Sequence, residues 1–150
     1  MKRTILALAL ALAASAAEAG TLRCSFTEPW FTIDFDSATG KVTYVSPDEF
    51  DEATGQPKPR VIAEGARVRR PGAWQDVPKL VLEKPGKSLT DPYVPIVEMS
   101  VTGQGSDGMS DFNFPFEGKY EQWAGGCDTD KAPAYDMAEV YQGIGVVEDQ

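Results

Sequence analysis

Residues 30–45 read WFTIDFDSATGKVTYV, and this stretch decides the fold class. From Trp30 to Asp36 the side chains alternate, with Phe31, Ile33 and Phe35 on one side and Thr32 and Asp34 on the other. A period of two belongs to the pleat of a half-buried strand, not to a helix. Asp36-Ser37-Ala38-Thr39-Gly40 is turn chemistry, because short polar side chains bond the backbone nearby and glycine accepts a positive φ. Lys41 to Ser46 is rich in β-branched and aromatic residues and returns as the hairpin partner.

The same rhythm extends in both directions. Leu22–Thr27 reads as a strand that Pro29 ends. Residues 47–59 are polar, carry the acidic DEFDE cluster, and read as a long exposed loop. Arg60–Ala63, Ala66–Arg70, Trp74–Val77 and Leu80–Leu82 are short strand candidates divided by Gly and Pro. Leu89–Pro95 reads as a loop, and Ile96–Thr102 as a strand with Val97, Met99 and Val101 on one face. Gly125-Gly126 reads as a turn into Cys127. No repeat and no helix-period segment of useful length is visible. The expectation is all-β: a small antiparallel β-barrel or sandwich closed by one disulfide.

The first nineteen residues read as an address. Lys2 and Arg3 precede a greasy Ile/Leu/Ala run, and Ala17-Glu18-Ala19 is an A-x-A cleavage motif. The expected organisation is a signal peptide over 1–19, a β-domain over 20–127, and an acidic, partly mobile tail over 128–150. The tail offers a helical turn at Ala138–Tyr141. Cleavage removes Lys2, Arg3 and Glu18 and shifts the net charge from −9 to −10. The expected location is periplasmic or secreted, with no transmembrane segment after cleavage. Such a charge disfavours nucleic acid and favours a basic protein as partner.

Cys24 and Cys127 are the two cysteines, and an oxidising compartment pairs them. Histidine is absent from the 150 residues. That removes the commonest general base, the Ser-His-Asp and Cys-His arrangements, and most catalytic zinc sites. Neither SDGMSD, DFDSATG nor DTD has the ligand register of a calcium loop, so no metal and no cofactor is expected.

The residues that remain for chemistry or recognition lie in two places. Ser106, Asp107, Ser110 and Asp111 surround Gly108 and Met109 in the SDGMSD segment, where hydroxyls and carboxylates can cap a turn. Glu28 stands between Thr27 and Pro29, beside Trp30. Glu28 with Asp107 or Asp111 would form the carboxylate pair of a hydrolase, a weak signal among 23 acids. The alternating Phe112, Phe114 and Phe116 fill a core or, if uncovered, mark a binding patch.

Thr27-Glu28-Pro29-Trp30-Phe31, Ser106–Asp111 and Gly126-Cys127 together resemble a family of bacterial envelope proteins marked by T-E-P-F-W, S-D-G-M-S-D and a late G-C. Order and spacing agree over residues 22–127. The aromatic pair is inverted here, and Gly103-Gln104-Gly105 stands where the family often has a cysteine, so Cys24 takes that partner's place. The resemblance implies a small secreted β-barrel and brings no established activity. The expected function is a non-enzymatic binding or structural module, in which Glu28 meets the Ser106–Asp111 loop at one end of the barrel. There the two lock the mouth or form a site for a small polar ligand. The alternatives are an envelope protein like the small β-barrel inhibitors of c-type lysozyme, or a carboxylate-based hydrolase.

Overall fold

The structure is a computed structural model and describes residues 20–72, 76–88, 90–130 and 137–149. Residues 1–19, read above as a signal peptide, lie outside the described residues, as do Trp74 and Gln75. Among the described residues, ten strands and one helix follow in order: β1 (Thr21–Thr27), β2 (Trp30–Asp36), β3 (Lys41–Val45), β4 (Arg60–Ala63), β5 (Arg67–Arg70), β6 (Lys79–Ser88), β7 (Asp91–Gly105), β8 (Phe114–Tyr120), β9 (Trp123–Thr129), α1 (Met137–Gly143) and β10 (Val147–Glu148). They form one curled, half-barrel sheet in the order β10-β5-β6-β7-β8-β9-β1-β2-β3-β4.

That order resolves into two up-and-down meanders, β1 to β4 and β5 to β9, joined by the antiparallel β1–β9 ladder. Cys24 stands directly opposite Cys127 in that ladder, and the two form a disulfide with Cα atoms 4.0 Å apart. β4 ends the order on one side and β5 lies next to the other end, inside the two-residue β10, yet only Glu64-Gly65-Ala66 separate them in the chain. Three residues span little distance, so the sheet has to curl until its two margins approach. Ala66 completes the approach by donating its N–H to the Gly40 carbonyl in the β2–β3 turn, at 2.9 Å.

The period-two reading of β2 holds, and β1 shows the same alternation. Leu22, Cys24 and Phe26 are buried on β1, and Phe31, Ile33 and Phe35 on β2. Val42, Val68, Leu80, Leu82, Val97, Met99, Phe116 and Cys127 join them on the concave side. Phe26 stacks on Phe31 at 4.6 Å and Phe31 on Tyr44 at 5.1 Å, with Tyr120 edge-on to Phe31.

Four expectations need correction. Asp91–Pro95 is strand, not loop, and β6 runs on through Pro85 to Ser88. Register shifts at Leu82/Glu83 and Pro85/Ser88 absorb the residues that cannot donate to the ladder. Gly125 and Gly126 sit inside β9 rather than in a turn. They are bare because a Cβ on Gly125 would strike the Phe26 ring, and one on Gly126 the Phe114 ring. Asp76 and Val77 form a bend, not the end of a strand. The last correction concerns the acidic tail. Asp128 and Thr129 complete β9, and residues 137–149 fold onto the sheet, with Val140 and Ile144 buried in the core.

The tail is held because Val140 of α1 and Ile144, just past the helix end and bonded back to the Val140 carbonyl at 3.1 Å, are both buried in the core. β10 then pairs in parallel with β5. Arg69 bonds Asp149 at 2.7 Å, and Arg70 reaches Glu148 at 3.4 Å. Glu83, 2% exposed, is met by both Arg67 and Arg69 at about 3 Å, so its buried charge is paired.

Candidate functional site

The SDGMSD segment occupies the connection between β7 and β8, and its side chains fold the loop on itself. Asp107 accepts the N–H of Met109 at 2.9 Å, the N–H of Ser110 at 2.8 Å and the Ser110 hydroxyl at 3.0 Å. Ser106 Oγ accepts the N–H of Gly108 at 3.1 Å. Gly108 itself has φ +87°, a conformation side chains rarely adopt. These bonds favour the charged carboxylate, the Ser110 N–H foremost, and hold Asp107 below the usual carboxylate range. With its oxygens engaged and its charge favoured, Asp107 is unsuited to donate a proton in hydrolysis.

The loop does reach the β1–β2 hairpin. A Cβ on Gly108 would lie 2.6 Å from Thr27 Oγ1, so backbone and threonine are in direct contact. Thr27 pairs with Trp30 across the hairpin, and Glu28 and Pro29 form its turn. The T-E-P-W and SDGMSD segments therefore share one end of the molecule, joined through Thr27 and Gly108. Among the described residues, no hydrogen bond joins Glu28 or Asp111 to this contact, and both side chains lie exposed.

Apolar groups remain uncovered at the same end. Trp30 is 59% exposed, Met109 80% and Phe112 45%. The aromatic pair Phe112 and Phe114 meets edge to face, with centroids 4.9 Å apart. Phe114 lies across β9: a Cβ on Gly126 would stand 2.5 Å from its Cγ. Gly126 pairs with Ser25, whose side chain alternates with the buried Cys24 and Phe26, so the ring rests on the convex side of the sheet.

Phe114 also walls a shallow groove of about 560 Å³ on that convex side. Strand register builds its floor. Asp128, Arg23, Asp34 and Thr43 form one row across β9, β1, β2 and β3. Thr21, Asp36 and Lys41 form another, with Asp130 beside them. Arg23 clasps Asp34 with bonds of 2.7 and 3.0 Å, which raise the arginine's pKa. Asp36, Asp128 and Asp130 leave the groove acidic against Lys41. From the Thr27–Trp30 row to the Thr21–Asp36 row is six residues, a strip of about 20 Å.

The groove residues were not singled out in the sequence. Alternation does place Arg23, Asp34 and Asp36 outward. Asp128 joins them only through β1–β9 pairing, whose register the cysteine pair would have given. Among the described residues no group of three or more Asp, Glu or Cys side chains is arranged to hold a metal ion. No protein-family model matches the chain, and no curated protein or solved structure matches it.

Proposed function

We propose that this protein is a non-enzymatic binding module of the cell envelope, and that its partner is a basic protein. The observation that carries the reading is the apolar end formed by Trp30, Met109 and Phe112, fringed by Glu28, Asp107 and Asp111 and continued by the acidic groove. Exposed aromatic and methionine side chains in one place are the usual anchors of a recognition surface. Surrounding carboxylates steer a positive partner and fix its orientation more than they add affinity. A partner that lays an apolar anchor on the rim and runs Lys or Arg side chains along the groove satisfies both halves. The envelope setting follows the A-x-A motif and the resemblance to proteins with the T-E-P-F-W and S-D-G-M-S-D segments.

The test is calorimetric titration at low and moderate salt. The probes are a c-type lysozyme, as a small basic secreted protein, and extended peptides combining Lys or Arg with an aromatic residue. Binding is expected to weaken steeply with salt. Trp30→Ala is expected to cost about 2 kcal/mol or more of affinity, as central aromatic anchors do. The proposal fails if neither probe class binds, or if Trp30→Ala and Met109→Ala leave binding unchanged.

A further inference from the structure

We infer that Gly20 is the amino terminus of the working protein, and that its ammonium group is bound in a seat assembled from three distant segments. The inference rests on the Ala17-Glu18-Ala19 cleavage motif and is independent of the proposed partner.

Gly20 is buried. Its nitrogen lies 2.6 Å from the carbonyl oxygen of Gly143, the last residue of α1, and 2.9 Å from Ser37 Oγ in the β2–β3 turn. Asp130, just beyond β9, brings a carboxylate beside the same residue: its Oδ1 accepts the Thr21 N–H at 3.1 Å and would stand 3.0 Å from a Cβ on Gly20. The same Cβ would stand 2.6 Å from the Gly143 oxygen, so the seat admits glycine and no larger side chain without movement.

The count of donors and acceptors is what points to an ammonium. A peptide N–H has one hydrogen, and here it faces two acceptors with a carboxylate close by. An ammonium has three hydrogens and a charge, which suits two neutral oxygens and an anion. Gly143 O is also one of the helix-end carbonyls that α1 cannot satisfy internally. The Ser37 hydroxyl lies 3.0 Å from it and 2.8 Å from the Gly20 carbonyl oxygen, so its single hydrogen is shared between them. Cleavage adds two hydrogens and a positive charge at the Gly20 nitrogen. Hydrolysis of the Ala19–Gly20 amide by an envelope peptidase leaves the water's oxygen on the Ala19 carboxylate. The amine left on Gly20 takes up a proton at neutral pH. The same group then ties together the start of β1, the β2–β3 turn and the end of α1, so processing fastens the C-terminal helix to the sheet.

The experiment exports the full chain, purifies the product and reads two masses. The first is that of the intact protein, expected to begin at Gly20. The second follows acylation of the α-amine under native conditions and in urea. The native amine is expected to react at least about tenfold more slowly than the amine in urea, because it is exposed only when the seat opens. Ser37→Ala and Asp130→Asn should each remove part of that protection, and a chain extended by one residue before Gly20 should melt lower. A first residue other than Gly20 overturns the inference at the cleavage step. A chain that begins at Gly20 but acylates as fast folded as unfolded overturns the seat and leaves the cleavage motif standing.

Discussion

Asp107 shows how much of a signature segment is spent on its own geometry. Its carboxylate holds two backbone N–H groups and one hydroxyl of its own loop, and among the described residues no other segment. Asp107→Ala should therefore cost about 0.5–1 kcal/mol, the net worth of bonds made at an exposed site. Urea denaturation checks the cost, and faster amide exchange at Met109 and Ser110 checks the cause. The pH sign follows from the direction of the shift. The folded pKa lies below the unfolded value of about 3.9, so the stabilisation is present above that value. It is lost as the pH falls through the folded pKa, and the gap between wild type and Asp107→Asn should close in that acid window. Gly126 makes a second case. Gly126→Ala drives a methyl into the Phe114 ring and should destabilise by about 1–3 kcal/mol while weakening partner binding. The sequence signals that a special residue is needed here, but Gly-Gly reads equally as a turn. Only the ring lying across β9 explains it.

Among the elements, strands with local partners were legible and those with distant partners were not. β2, the turn after it and β3 follow from alternation and turn chemistry, because the ladder that makes them a hairpin runs only from Thr32↔Val45 to Asp36↔Lys41. β7 was misread at Pro92 and Pro95, since bulges that accommodate proline leave no mark of their own. The helical turn expected at Ala138–Tyr141 lies inside α1, whose seven residues are too few to establish a period and so give its full extent. β10 leaves no mark in the sequence, because it has two residues and, among the described residues, its ladder is with the distant β5. The burial of Ile144 turns this segment into a structural element with a measurable worth. Ile144→Ala should cost about 2–4 kcal/mol, read from the urea midpoint, because it empties a site in a closed core. An effect below half a kcal/mol would mean the tail adds little to the fold.

For the whole molecule, the many short strand candidates and the turn signals between them led to the all-β class. They did not give the arrangement of two meanders around one non-local ladder. The Cys24–Cys127 pair is the covalent statement of that ladder, with a sequence separation of 103. Replacing both cysteines with alanine should cost on the order of 4–5 kcal/mol by the chain-entropy account, less if the unfolded chain stays compact. Denaturation with and without reductant measures it. The same arrangement explains why the candidate site was half visible. The rim comes from two signatures close to their own turns, whereas the groove needs β9 laid beside β1.

The β1–β9 ladder also sets a schedule. β1 is made first and its partner nearly last, so at about 5–20 residues per second the ribosome needs on the order of 5–20 s to supply the matching strand. Throughout that wait β1 can pair with β2 on one side only, and its other edge, with a lone thiol at Cys24, faces whatever is near. Non-local pairings of this kind form slowly even once the chain is complete. The nascent protein is therefore most exposed to mispairing at the strand that, when finished, lies in the middle of the sheet.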